Sequence, residues 1–173
     1  MRDLIAQGFG IIGLIILVSS FQFKKNSTFF FMQGTGSFMF FLNFIMIGAY
    51  GGAFFNLFNL VRGLLYMKNA KKPWKLATVI ALYTVALGFS YYLDHTPKQI
   101  ILVGIIYASI IIMSVAMWQG DAYNMRIYQI SVSSPAWMIH NIFNFSLGGL
   151  LCETFNVIST AIFLFRFRKS RKS

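Results

Sequence analysis

Residues 28–67 read TFFFMQGTGSFMFFLNFIMIGAYGGAFFNLFNLVRGLLYM, an almost unbroken apolar run of 40 residues. A single helix of that length would measure about 60 Å, twice the ~30 Å thickness of the hydrocarbon core of a bilayer. We therefore expect two membrane-spanning helices here, divided at residues 48–51, where glycines let the chain turn. The same reasoning divides a later apolar run at residues 146–149.

The composition points to the same class of protein. Of 173 residues, 57% are hydrophobic and only 11% are charged, whereas a soluble chain has about a quarter charged residues. This excludes a water-soluble enzyme, a disordered chain and a coiled coil. We expect an all-α integral membrane protein with seven transmembrane helices, at residues 4–21, 28–47, 50–67, 75–93, 99–117, 127–145 and 148–167. Seven spans leave about 40 residues for all loops and both ends, so any function must lie inside the helix bundle.

The basic residues are unevenly distributed across the membrane. With seven spans, 12 of the 15 Lys and Arg residues fall on one side, namely Lys24, Lys25, Lys68, Lys71, Lys72, Lys75, Arg126, Arg166, Arg168, Lys169, Arg171 and Lys172. The positive-inside rule places this side in the cytoplasm. We therefore expect the N-terminus outside and the C-terminus in the cytoplasm, and the net charge of +11 indicates topology rather than binding to nucleic acid.

The chain contains an internal repeat. When it is shifted along itself by 97 residues, seven of the 41 positions from 22 to 62 are identical. Gly51-Gly52 then meets Gly148-Gly149, and Asn59 meets Asn156. We expect two parallel three-helix repeats, residues 1–68 and residues 98–173 with the basic tail, joined by a linker helix within residues 69–97 (3+1+3). Parallel repeats related by an axis along the membrane normal are a known transporter architecture.

Polar side chains recur at helical spacing inside three of the expected spans. The stripes are Asn56, Asn59 and Arg62 on the third span, Trp137, His140, Asn141 and Asn144 on the sixth, and Glu153, Asn156 and Thr160 on the seventh. Ionisable groups in hydrocarbon cost ~2.5–3.5 kcal/mol each on insertion scales, so they usually face the interior or a wet cavity. The three stripes predict a polar centre, and their asparagines favour a binding site over interhelical hydrogen bonding alone.

The charged residues of these stripes allow three interpretations. Glu153 and Arg62 could form a structural ion pair that ties the two halves together. Alternatively, Glu153 or His140 carries a coupling proton. In the third interpretation, Arg62 lies near the cytoplasmic end of its helix and extends its side chain to the interface.

Neither a metal site nor a cofactor site is expected. One cysteine, Cys152, and two histidines provide no cluster of metal ligands. No catalytic residues are predicted either, because an intramembrane enzyme would need more than one carboxylate and His140 has no evident nucleophile. The pair Ser133-Ser134 before Pro135 is interpreted as a helix start.

Over nearly its whole length the chain is similar to the YgjV-type family of bacterial inner-membrane proteins. The residues that carry this resemblance are Ala6-Gln7-Gly8, Asn56 with Asn59 and Arg62, the segment Trp137-Met138-Ile139-His140-Asn141, Gly148-Gly149 and Glu153. The resemblance implies that the protein resides in a bacterial inner membrane.

In its topology the chain also resembles the PQ-loop and SWEET group of small seven-span transporters. That resemblance implies a pocket near the bilayer midplane, lined by Asn59 and Asn156, with Trp137 as an aromatic wall. The chain departs from the Pro-Gln dipeptide of that group, which is replaced by Phe21-Gln22 and Trp118-Gln119.

Together these features predict a transporter or facilitator for a small solute, working by alternating access. The expected partners are the lipid bilayer and an uncharged or amphoteric metabolite, without nucleic acid, and a homo-oligomer is compatible with this reading. The expected substrate-binding residues are Asn56, Asn59, Trp137, His140, Asn141, Asn144 and Asn156, with Arg62 and Glu153 as ion pair or proton-coupling residues. The alternative is a non-transporting membrane protein, such as an assembly factor or sensor, whose polar residues only hold helices together.

Overall fold

The computed structural model describes residues 2–20, 26–67, 71–120 and 122–170, and the regular secondary structure of these residues is helical. The helices are α1 (Arg2–Ser20), α2 (Asn26–Met46), α3 (Tyr50–Tyr66), α4 (Pro73–Leu93), α5 (Pro97–Gln119), α6 (Ala122–Tyr128), α7 (Ser134–Phe143) and α8 (Leu147–Ser170). A π-helical segment, Gln129–Ser133, joins α6 to α7. Several residues used in the sequence arguments lie outside the described ranges, namely Phe21-Gln22, Lys24, Lys25, Lys68, Arg171 and Lys172.

Four helices in the described part of the chain are long and apolar enough to cross a membrane: Arg2–Ser20, Pro73–Leu93, Pro97–Gln119 and Leu147–Phe165. The others are shorter or more polar. Helix α3 has 17 residues, the π segment separates α6 from α7, and α2 carries Gln33, Ser37 and Asn43. The expectation of an all-α integral membrane protein is confirmed.

Both expected divisions of the long apolar runs are present, and their backbone geometry matches. In the first turn, Ala49 N–H donates to Phe44 O at 2.9 Å; in the second, Ser146 N–H donates to Asn141 O at 3.0 Å. The residue before each donor has a positive φ, 79° at Gly48 and 54° at Phe145. Each pair of equivalent positions is 97 residues apart, so the sequence offset recurs in the hydrogen bonds of the two turns.

Gly48 provides a first prediction, because its positive φ disfavours any residue with a Cβ atom. We expect Gly48→Ala to destabilise the protein by about 1 kcal/mol, although nothing lies within 4 Å of the added Cβ. The matched control is Gly88→Ala inside α4, where the space is also open and alanine favours a helix. Thermal unfolding in detergent should show a lower Tm for Gly48→Ala alone. Equal Tm values for the two variants would contradict the strain argument.

The sixth helical region is continuous from α6 through the π segment to α7. It begins at Ala122, five residues before the expected start of the span at 127. Ser134 does begin α7, as expected, but the chain does not break there, because Ser134 N–H donates to Gln129 O five residues earlier. The wider π turn precedes Pro135, which has no N–H and whose ring would clash with a carbonyl in a regular α-helix.

The helices are arranged as a ring. Helix α1 packs against α2 and α8, α3 packs against α2 and α5, and α7 packs against α5 and α8. The order around the ring is therefore α1, α2, α3, α5, the α6–α7 region and α8. Helix α4 packs against its sequence neighbours α3 and α5.

Candidate functional site

A cavity of about 580 Å³ lies inside the ring. All six members of the ring line it, whereas none of its lining residues in the described ranges belongs to α4. The lining residues are Leu17, Gln33, Ser37, Phe40, Phe44, Asn56, Asn59, Arg62, Ile110, Met113, Met117, Met125, Arg126, Gln129, Ser133, Trp137, Asn141, Gly149, Cys152, Glu153, Asn156 and Thr160. The volume falls within the range of about 300–1,000 Å³ that is typical of small-molecule sites.

The cavity reaches one end of the bundle. Leu17 is in the last turn of α1, Gln33 is near the start of α2, and Met117 is near the end of α5. These ends lie together, because consecutive helices run antiparallel. This is also the end at which the connection between α3 and α4 carries Lys71 and Lys72.

Side-chain hydrogen bonds join the helices at the opposite end. Gln7 Nε2 donates to Phe145 O at 2.7 Å, and Leu147 N–H donates to Gln7 Oε1 at 3.0 Å. Asn43, fully buried, donates from Nδ2 to Ala6 O at 2.7 Å and accepts from Ser146 Oγ at 2.8 Å. These bonds join α1, α2 and the turn between α7 and α8; we call Gln7, Asn43 and Ser146 the closing network.

Close backbone packing reinforces the closing network. A Cβ atom on Gly148 would lie 2.3 Å from Gly10 C and 2.6 Å from Gly10 O. The start of α8 therefore rests directly on the backbone of α1, and only glycine at position 148 permits this approach.

The two asparagines of α3 use one end of each amide within the protein. Asn59 Oδ1 accepts a hydrogen bond from Tyr83 of α4 at 2.7 Å. Asn56 Nδ2 donates to Gly52 O in its own helix at 2.9 Å. Because both residues line the cavity, the Asn59 amide is left with donors and the Asn56 amide with an acceptor.

Glu153 is the acidic residue of the cavity lining. Its Oε2 accepts hydrogen bonds from Ser134 Oγ at 2.7 Å and from Asn156 Nδ2 at 3.4 Å. Ser134 is itself positioned by Gln129, whose Nε2 donates to Ser134 Oγ at 3.0 Å. The π segment thus helps to fix the carboxylate that faces the cavity.

Arg62 lines the same cavity as Glu153 but bonds elsewhere. Its Nη1 donates to Ser114 Oγ at 3.1 Å, and its guanidinium lies 5.8 Å from the ring centre of Tyr83. Among the described residues, Arg62 and Glu153 do not form an ion pair with each other. Arg62 and the carboxyl group of Glu153 therefore line one cavity, together with Arg126, and Arg62 and Glu153 each have their own polar neighbours.

Two of the nine predicted site residues do not line the cavity. His140 is fully buried, with its ring 5.1 Å from Phe44 and 5.7 Å from Trp137, and it fills the space that the missing Cβ of Gly52 leaves. Asn144 directly follows α7, and its Oδ1 accepts a hydrogen bond from Gln99 Nε2 at 2.7 Å. The structure brings the other seven together around the cavity: Asn56, Asn59, Arg62, Trp137, Asn141, Glu153 and Asn156.

The sequence reasoning did not select the α2 side of the cavity. This wall contains Gln33, Ser37, Phe40 and Phe44, and Phe44 stacks on Trp137 with ring centres 6.1 Å apart. Two features of the sequence could have identified this wall. Positions 33, 37, 40 and 44 share one helix face, and positions 40 and 44 are the repeat equivalents of Trp137 and Asn141.

The sequence patterns did not predict the closing network, because Asn43 and Ser146 do not belong to any of the three polar stripes. The pair meets only after folding, 103 positions apart. Gln7 was noted as part of the family resemblance rather than for a structural role.

The fold and the cavity define a helical integral membrane protein whose polar residues converge on an internal cavity. The family model for a bacterial inner membrane protein, Imp-YgjV, matches residues 4–171, so the chain belongs to this family and resides in a bacterial inner membrane. It is similar to inner membrane protein YgjV of Escherichia coli (strain K12), with 24% identity over 168 residues, which cover 97% of this chain and 87% of the relative. No solved structure matches the chain.

Proposed function

We propose that the protein is a small-solute transporter that works by alternating access between two three-helix repeats. The observation that carries the proposal is the pairing of cavity residues across the sequence offset of 97. Four such pairs line the cavity: Phe40 and Trp137, Phe44 and Asn141, Asn56 and Glu153, and Asn59 and Asn156. A cavity between two equivalent units is where parallel-repeat transporters bind their substrates.

The helix contacts support the same arrangement. If α1, α2 and α3 correspond to α5, the α6–α7 region and α8, the contact between α1 and α8 corresponds to that between α5 and α3. Both contacts are present. Helix α4 then serves as the linker of a 3+1+3 chain, which agrees with its absence from the described cavity lining.

The positive-inside rule supports an orientation for this arrangement. The end that the cavity reaches is the end rich in Lys and Arg, so the cavity opens to the cytoplasm and the closing network faces outward. The N-terminus is then outside and the C-terminus is in the cytoplasm. Alternating access would open the closing network and narrow the cytoplasmic end.

The cavity supports transport over the alternative of a non-transporting assembly factor or sensor. Polar residues that only hold helices together would be expected to pack against one another. Here eight polar or aromatic residues of the predicted stripes line the cavity, namely the seven predicted site residues found there and Thr160. In this proposal the protein is not an enzyme, its partners are the bilayer and a small uncharged or amphoteric metabolite, and one chain encloses the cavity.

A thermal-shift screen in detergent against amino acids, nucleosides, vitamins and sugars tests this function. We expect a ligand that raises the Tm of the native protein, and we expect Asn59→Ala and Asn156→Ala each to abolish the effect, because these residues are repeat-equivalent parts of the lining. Thr154→Ala is the matched control, since Thr154 is exposed on α8 and, among the described residues, its side chain bonds only to Leu150 O of its own helix. No stabilising ligand, with both asparagine variants merely less stable, would favour the assembly factor or sensor.

A further inference from the structure

We propose that the cavity binds a zwitterionic ligand of the α-amino-acid type with an apolar side chain. Its anionic group would bind at Arg62 and its cationic group at Glu153. The inference rests on the proposed function and narrows its substrate class from uncharged or amphoteric metabolites to zwitterions.

The first observation is that the two repeats carry different charged residues at equivalent positions. Asn56 in the first repeat corresponds to Glu153 in the second, and Arg62 corresponds to Ser159. At these equivalent positions the first repeat therefore presents Arg62 to the cavity and the second presents Glu153, while Arg126 of the second repeat is a further basic residue of the lining. A cavity for an uncharged, symmetric solute would not need this difference.

The second observation concerns the polar atoms left without partners. In the described part of the chain, Arg62 uses Nη1 for Ser114 and has no hydrogen bond from Nε or Nη2. Glu153 uses Oε2 for its two donors, and its Oε1 accepts none. Donors therefore remain at the cation and an acceptor remains at the anion.

The side-chain amides of Asn59 and Asn156 add donors on the helix of Arg62 and an acceptor on the helix of Glu153. Asn59 keeps its Nδ2 donors, on the helix that carries Arg62, because its Oδ1 is occupied by Tyr83. Asn156 keeps Oδ1 as an acceptor, on the helix that carries Glu153, because its Nδ2 is directed to Glu153. A carboxylate suits the first pair of groups and an ammonium suits the second.

Two unpaired charges inside a membrane protein are costly unless something pairs with them. Arg62 and Glu153 do not pair with each other, although both line the same cavity. A zwitterion satisfies both charges at once without adding net charge to the site. A sugar would leave both charges unpaired, and a ligand with one charge would leave one of them unpaired.

The rest of the lining suits an apolar side chain. Phe40, Phe44 and Trp137 form an aromatic wall, with the rings of Phe44 and Trp137 stacked. Arg126 is a second basic residue of the lining, near the start of the α6–α7 region, and its guanidinium lies 5.2 Å from the ring centre of Phe163. Its position toward the cytoplasmic end would attract the anionic group during entry.

The test compares matched ligands by calorimetric titration of the purified full chain in detergent. The first set is leucine, 3-methylbutylamine, which lacks the carboxylate, and 4-methylpentanoate, which lacks the amine. The second set is phenylalanine, 2-phenylethylamine and 3-phenylpropanoate. We expect each amino acid to bind at least about tenfold more tightly than either of its analogues, because each charge-assisted contact contributes that much.

Two variants assign the charged groups. Arg62→Gln should weaken binding of the amino acid and the acid but not of the amine, and Glu153→Gln should weaken the amino acid and the amine but not the acid. Lys98→Gln is the charge-matched control, since Lys98 bonds to Phe143 O away from the cavity. If Arg62→Gln does not fold, Arg62→Lys replaces it and should reduce binding of the acid by a smaller factor.

The remaining outcomes overturn the proposal. Equal affinity for an amino acid and both of its analogues would show that Arg62 and Glu153 do not recognise the charged groups of the ligand. Binding of sugars or nucleosides without zwitterions would reject the zwitterion class and leave the transporter function standing. If no ligand in any class binds, the zwitterion proposal fails, and the transporter function is tested separately by labelling a cysteine in the cavity from each side of the membrane, which needs no ligand.

Discussion

Replacing Gly148 with alanine should destabilise the protein by about 1–3 kcal/mol, the usual cost of inserting a methyl group into a packed interior. The new Cβ would lie 2.3 Å from Gly10 C and 2.7 Å from Gly10 Cα. These are backbone atoms, so no side chain can rotate away, and α8 must separate from α1. At about 2–4 °C per kcal/mol for a chain of this size, Tm in detergent should fall by several degrees.

Gly8→Ala is the matched control for this prediction. Gly8 lies on α1 at the same end of the bundle as Gly10, and nothing is within 4 Å of its added Cβ. We expect this variant to keep the native Tm or exceed it, since alanine favours the helix. A Tm for Gly148→Ala that equals that of Gly8→Ala would contradict the close contact between α1 and α8.

The second large effect is expected from Asn43→Ala. Asn43 is fully buried and joins Ala6 O of α1 to Ser146 Oγ in the turn before α8. The alanine variant loses both hydrogen bonds and leaves a small void, which together should cost about 2–3 kcal/mol. In the proposed transporter the same change weakens the outer closure, so the variant should also admit water to the cavity from outside.

Asn144→Ala is the control for Asn43→Ala. Asn144 also lies near the closed end, but it is half-buried and its bond from Gln99 is outside the closing network. We expect its Tm to change by less than about 2 °C, as for a surface substitution. Thermal unfolding of the two variants compares them directly. An equal fall in Tm would contradict the claim that Asn43 stabilises the closing network.

The helices and their divisions could be predicted because they follow from local properties of the chain. The length of residues 28–67 against the thickness of a bilayer required a turn, and Gly48 supplied it. The second turn has Phe145 at the equivalent position with φ 54°, where no glycine marked it. The sequence predicted that turn at residues 146–149 from the length of the apolar run and its glycines, but it did not predict a positive φ at Phe145.

The site could be predicted in part, for the same reason. Spacing along one helix places Asn56, Asn59 and Arg62 on a common face, and they do line the cavity. The spacing of residues along a helix does not determine which neighbouring helix packs against a given face. His140 shares a helix face with Trp137 and Asn141, yet it is directed to Gly52 of α3, because the lack of a side chain there leaves room for its ring.

Two-sided labelling of a cysteine in the cavity tests the central claim, that the cavity is an aqueous pathway which opens to one side at a time. In a Cys152→Ala background, Ser37→Cys places a thiol in the lining of α2, and Ser159→Cys on the exposed side of α8 is the control facing lipid. A membrane-impermeant maleimide should label Ser37→Cys strongly in inside-out vesicles and weakly in spheroplasts, and adding Asn43→Ala should raise labelling in spheroplasts. The control should stay unlabelled from both sides. Failure of Ser37→Cys to react from either side, with or without Asn43→Ala, would contradict the account.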